Sequence, residues 1–209
     1  TGEAALGANI NGWRTAYLKG ELAKDDASKK LVDGLIALDK KGAQVIPYLQ
    51  ILLGKDPTSE EQRNKAMTAI ADMKGGNPDN GKQVFRRGCI ACHKVYGEGA
   101  DFGPDMMKVG TRLNKFKLVQ SIIDPNAEVD KKYLSTLIST SDGKVITGLV
   151  VSDTKEEVTI FDGKQKRTIK TGDIEERKTL KQSSMPEGLA GTISPVEFLD
   201  LIAFLATLK

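Results

Sequence analysis

The feature that most constrains this chain is Cys89-Ile90-Ala91-Cys92-His93, which holds both cysteines and the single histidine of a 209-residue protein. All of its thiol and imidazole chemistry is concentrated in one pentapeptide. The Cys-x-x-Cys-His spacing is that of covalent haem attachment. Two thiols three positions apart can each bond one vinyl-derived carbon of a porphyrin, and the adjacent imidazole reaches the iron from one face. A structural zinc site needs four ligands, and this cluster offers three with no second Cys/His cluster to complete it. A redox dithiol belongs at a helix start after a strand, whereas the segment before Cys89 reads as a helix.

The rest of the composition narrows the surroundings. With 31 basic and 28 acidic residues, a net charge of +3, the chain lacks the charge bias of a nucleic-acid binder. A hydrophobic fraction of 39% and a charged fraction of 28% are those of a soluble globular protein. No apolar run approaches the length of a transmembrane segment. Thr1–Ala5 carry no signal peptide. A haem-bearing chain is therefore expected to be a mature or trimmed form of an exported, periplasmic protein.

Residues 1–76 read as an N-terminal helical region, either a bundle or the end of a set of helical repeats. Trp13 and Tyr17 share one helix face, Ile46, Leu49, Leu52 and Leu53 form an apolar stripe, and Thr58-Ser59-Glu60-Glu61 is a capping box ahead of a helix carrying Ala66, Ile70 and Met73. Asn77-Pro78 then opens a helix as N-cap and first-turn proline. Gly81, Phe85 and Gly88 lie along one stripe of it. Ser194-Pro195-Val196-Glu197 caps a last helix with a continuous apolar stripe of Phe198, Leu201, Ile202, Leu205 and Leu208, flanked by Phe204. A crossing of these two helices supplies a core, with Gly81 permitting close approach and Phe85 filling the contact.

Between them the pattern changes. Asn114–Asp124 reads as a helix with Leu118, Ile122 and Ile123 inward. Tyr133–Thr140, Val145–Val151, Val158–Phe161 and Arg167–Lys170 are rich in β formers, and Asp142-Gly143 and Asp162-Gly163 are hairpin signals. Residues 133–178 are therefore expected to form a small antiparallel sheet or partial barrel that shields a haem edge, docks a partner, or does neither.

Gly81-x-x-x-Phe85, Cys89-x-x-Cys92-His93, Gly103-Pro104 and Leu201-Ile202-Ala203-Phe204-Leu205 together resemble a class I c-type cytochrome. More closely, residues 78–209 resemble the haem-binding domain type named for planctomycetes and verrucomicrobia. The residues that carry this likeness are Gly103-Pro104-Asp105-Met106, Asp124-Pro125 and Ser183-Ser184-Met185-Pro186-Glu187-Gly188-Leu189, with Met106 standing where that type has leucine. The resemblance implies a mainly α protein: a class I cytochrome c fold over residues 77–209, with a small β insertion at about 133–178, preceded by the helical region.

The resemblance also distributes roles. Cys89 and Cys92 form the thioether links to one covalent haem c. His93 is the proximal ligand, and the Pro104 carbonyl receives its Nδ1–H. Arg112, after Val109-Gly110-Thr111, bonds a haem propionate. Without a second histidine, lysine and methionine remain the common candidates for the sixth ligand. Of Met67, Met73, Met106, Met107 and Met185, the loop residue Met185 before the last helix matches the family's Met-Pro run. Such a protein is not an enzyme but a one-electron carrier between a dehydrogenase donor and a cytochrome or oxidase acceptor, either free-standing or as the electron-accepting part of a dehydrogenase. The alternative is a haem-based sensor or small-molecule-binding protein with a labile distal ligand.

Overall fold

The computed structural model describes residues 60–73 and 75–209. The expectations for Trp13, Tyr17, the Ile46–Leu53 stripe and Thr58 lie outside the described residues. The described chain divides into two compact units. One comprises residues 60–88, 107–123 and 188–209; the other comprises Cys89–Met106 and Asp124–Glu187.

The first unit is helical. It contains α1 (Glu60–Ala71), α2 (Pro78–Val84), α3 (Val109–Arg112), α4 (Lys115–Ile123) and α5 (Pro195–Thr207). The Asn77 side chain caps α2 by accepting from the backbone N–H groups of Asp79 and Asn80 at 2.9 and 3.3 Å. Two orphan donors of the first turn are thereby satisfied, and Pro78 has none to lose. Ser194 and Glu197 cap α5 reciprocally, each side chain accepting from the other's backbone N–H, at 3.2 and 2.8 Å. Asn114 does the same for α4, accepting from the Lys117 N–H at 2.9 Å.

α2 and α5 cross in close contact at Gly81. A Cβ on Gly81 would lie 1.9 Å from the Asp200 carbonyl oxygen and 2.7 Å from the Phe204 Cβ, so only glycine admits this crossing. Phe85 fills the space beside it, its ring 5.8 Å from that of Phe204 and tilted by 59°. The buried Asp200 carboxylate accepts from the Asn77 N–H at 2.6 Å, and Arg87 bonds Glu197 at 2.6 Å. Phe198, Leu201, Ile202, Phe204, Leu205 and Leu208 are all buried. At roughly 1.5–3 kcal/mol for each such side chain, this stripe contributes strongly to the unit's stability.

The second unit carries an open five-stranded antiparallel sheet in the order β4-β3-β2-β1-β5. The strands are β1 (Leu134–Thr140), β2 (Val145–Asp153), β3 (Glu157–Phe161), β4 (Lys166–Lys170) and β5 (Ile174–Ser183). Register is set by pairs such as Ile138↔Ile146, Val150↔Ile160 and Val158↔Ile169. Ile138, Val158, Ile160 and Ile169 form its buried cluster, with Ile146, Val150 and Ile174 packed against them. The period-2 alternation of Val158 and Ile160 puts both on that face. Asp142-Gly143 and Asp162-Gly163 occupy the β1–β2 and β3–β4 turns, both glycines with positive φ.

The mainly α class expected from sequence is corrected here. The described residues are 38% helix and 26% strand, so helix does not predominate over a substantial sheet. Two causes are identifiable. The residues on which much of the helical expectation rested fall outside the description. β5 also continues the sheet to Ser183 through Ile174-Glu-Glu-Arg-Lys-Thr-Leu-Lys-Gln-Ser183, a run whose mostly exposed residues show no hydrophobic alternation. It is a strand because β1 pairs with it, Ile138 opposite Arg177, and not because of its own pattern.

Candidate functional site

α2 does not end at Val84 but widens into a π-helical turn, Phe85–Cys89, that terminates on the first cysteine. Such wide turns are rare and concentrate at functional positions. A tight turn follows, in which Cys92 N–H and His93 N–H both donate to the Cys89 carbonyl, at 3.1 and 2.9 Å. The chain then folds back over this turn. Val95 and Glu98 exchange backbone hydrogen bonds at 2.9 Å, Ala100 N–H reaches the Ile90 carbonyl at 3.1 Å, and Gly103 N–H reaches the Cys92 carbonyl at 2.7 Å.

That return brings Gly103 against the His93 ring. A Cβ there would stand 2.5 Å from Cε1 and 2.7 Å from Nδ1, so residue 103 has to be glycine for the imidazole to pack against the loop as it does. The next residue orients the ring: His93 Nδ1 lies 2.8 Å from the Pro104 carbonyl oxygen. A carbonyl can only accept, so Nδ1 carries the proton and Nε2 keeps its lone pair. Burial holds the imidazole below its ordinary range, opposed by the Pro104 carbonyl. The neutral, Nε2-basic ring is the form that ligates a metal.

Both cysteines are free thiols, half-buried. Burial, with a smaller push from Cys92, raises Cys89 to about 11, and burial raises Cys92 as well. A disulfide-exchange dithiol needs the reverse, a thiolate stabilised near neutral pH. Two adjacent thiols and an oriented imidazole on one turn fit a covalently attached haem. Cys89 and Cys92 would hold it by thioether bonds, and His93 would ligate its iron through Nε2.

The structure brings His93 and Pro104 together. Met185 lies in the same unit, half-buried, in the loop that leaves β5; its backbone N–H donates to Ser183 Oγ at 3.1 Å. Arg112 ends α3 in the helical unit. Among the other methionines, Met67 is buried in α1, and Met106 is tied through its backbone N–H to the Lys94 carbonyl at 2.8 Å.

Three features of the site were not read from sequence. Gly103 was paired with Pro104 but assigned no contact of its own. Phe102, one residue before it, stacks on Phe161 at the end of β3, with ring centroids 4.0 Å apart and planes 22° apart. The Lys166 ammonium sits 5.3 Å from the same Phe102 ring. The inserted sheet is thus packed directly on the loop that orients the histidine. An aromatic immediately before Gly-Pro was the available signal, but nothing local identifies a partner so far along the chain. The third feature is Asn126, whose side chain accepts from the Ser183 N–H at 2.7 Å.

No helix among the described residues is long and apolar enough to cross a membrane. No curated protein matches the chain. The family model for Cytochrome c matches residues 78–137, which runs from α2 through the site into β1 and stops short of Met185. The oriented imidazole beside two free thiols lies inside that match, which supports a c-type cytochrome domain over those residues; such a domain suggests haem-binding electron transfer and implies haem c.

Proposed function

We propose that the chain is a single-haem electron carrier with His93 and Met185 as axial ligands, working in the periplasm between a dehydrogenase donor and a cytochrome or oxidase acceptor. The observation that carries this reading is the 2.8 Å contact from His93 Nδ1 to the Pro104 carbonyl, which puts the proton on Nδ1 and leaves the Nε2 lone pair for a metal. One Cys-x-x-Cys-His run in the whole chain supports a single haem. Cytochrome c domains are typically extracellular or periplasmic, which supports the compartment.

When bound, haem c supplies a one-electron redox couple. The chain's residues do the rest. Cys89 and Cys92 would tether the group, and His93, its ring fixed by Gly103 and Pro104, would hold its iron. Met185, a neutral thioether, would be the second iron ligand, and as such would favour the reduced state and close the site to small molecules. Arg112 is suited to a propionate, since its planar fork matches a carboxylate. The kinship with the planctomycete and verrucomicrobial domain type rests on Gly103–Met106, Asp124-Pro125 and Ser183–Leu189. That type's Met-Pro run is what favours Met185.

The test is mass and spectrum together. The purified protein should carry the mass increment of one haem that survives acid-acetone extraction. Its ferric form should be low-spin with the weak charge-transfer band of methionine on iron. A high-spin ferric spectrum, or rapid carbon monoxide binding to the native ferrous protein, would instead indicate an open, sensor-type site.

A further inference from the structure

The loop that carries Met185 is held at both ends by one side chain, Asn126. Its Oδ1 accepts from the Ser183 backbone N–H at 2.7 Å, two residues before Met185. Its Nδ2 donates to the Glu187 carboxylate, two residues after Met185. The same loop is pinned on its β5 side by three further bonds. Ser135 Oγ donates to the Ser183 carbonyl at 3.0 Å, Ser183 Oγ accepts from the Met185 N–H at 3.1 Å, and the Ser184 N–H donates to the Tyr133 carbonyl at 2.8 Å. On the Glu187 side, the Asn126 amide is the side-chain tie from outside the loop. Asn126 sits in the turn after Asp124-Pro125, half-buried.

We propose that Asn126 is the positioning residue for the second axial ligand: it brackets residues 183–187 so that Met185 is presented in one geometry. The proposal rests on the reading of Met185 as that ligand. The chemistry of the bracket is specific to a primary amide, which offers an acceptor and a donor on one planar group. An aspartate at 126 keeps the bond to Ser183 but sets a second carboxylate against Glu187. An aliphatic residue makes neither bond. A thioether is an uncharged ligand, so its occupancy depends strongly on how little freedom the loop loses when the bond forms. A loop already immobilised on both flanks loses less, which is the general advantage of preorganisation.

The experiment uses the holoprotein. In Asn126→Ala, covalent haem and far-ultraviolet circular dichroism stay at wild-type levels. The methionine–iron(III) band weakens, the reduction potential falls, and the ferrous protein binds carbon monoxide about tenfold more tightly. Asn126→Asp behaves in the same way. Combining it with Glu187→Gln, which turns the repelling carboxylate into an amide donor, returns all three readouts towards wild type. A merely structural asparagine predicts no such rescue. Should Asn126→Ala fail to fold, Glu187→Ala removes only the exposed half of the bracket and gives a smaller shift of the same sign.

Met185→Ala separates the two claims. If it abolishes the band while Asn126→Ala and Glu187→Ala keep wild-type carbon monoxide affinity and potential, the bracket is overturned and the ligand assignment stands. If Met185→Ala leaves the band intact, the ligand assignment fails, and the proposal fails with it.

Discussion

The α2–α5 crossing and the Cys89–Met106 loop are each built on a glycine that receives a neighbour. Gly81 receives a backbone carbonyl, with 1.9 Å between the Asp200 oxygen and the position its Cβ would take. Gly103 receives a side chain, the His93 ring, whose Cε1 lies 2.5 Å from the corresponding position. At Gly81 two helices meet over a wide apolar stripe, so the contact determines whether the unit holds together. At Gly103 one imidazole is set against the loop and bonded to Pro104, so the contact fixes the ring's position. Close approach contributes to stability in the first region and to the geometry of chemistry in the second.

Substitutions at these positions test that contrast. The largest effect is expected from Gly81→Val. Its branched side chain has no place beside Asp200 and Phe204, and overpacking there costs about 3 kcal/mol or more. A shifted midpoint in denaturant unfolding is the measurement, and an unchanged midpoint would show that the two helices separate freely. Gly103→Ala should lose less stability, about 1–2 kcal/mol, yet rotate the His93 ring off the Pro104 carbonyl. Imidazole nitrogen chemical shifts report the loss of the Nδ1–H bond. If they match wild type, Gly103 does not set the ring.

Ser194→Ala removes one half of the α5 capping box and should cost about 1 kcal/mol, again read from unfolding. The smallest effect belongs to the sheet. At the β3–β4 turn, the Gln165 N–H, the Arg167 side chain and the Lys164 N–H hold the Asp162 carboxyl down at about 2, against an ordinary 3.8. A group depressed in the folded state contributes its stabilisation fully above its unfolded value and loses it as the pH falls through the folded one. The turn should therefore loosen between about pH 4 and pH 2. The Lys164 and Gln165 amide shifts should move over that window, and Asp162→Asn should flatten the change.

Legibility in the sequence followed the range of the signal. Asn77-Pro78 and Ser194 through Glu197 are local grammar for helix starts, and both helices begin there. The α5 stripe read from spacing is buried throughout. The Asp-Gly pairs at 142–143 and 162–163 sit in hairpin turns because glycine accepts positive φ at little cost. β5 was not legible, since an edge strand with one paired side needs no apolar alternation. Neither was the π-helical turn at Phe85–Cys89, where nothing in the residue types marks the wider hydrogen bonding. Overestimating helix followed in part from ending the expected sheet at residue 178, inside that polar strand.

The amino-acid sequence by itself determined the chemistry available: two thiols and one imidazole in a single run, and no other residue of either kind. That holds because covalent tethering and ligation depend on atom types at short chain separation, which covalent geometry constrains. Only the tertiary structure decided how that chemistry is aimed. The Gly103 backbone against the ring, Phe102 stacked on Phe161 and Asn126 across the Met185 loop all join residues well apart in the chain. Each depends on distances set by the folded sheet and loops, and no local pattern of residues encodes a distance of that kind.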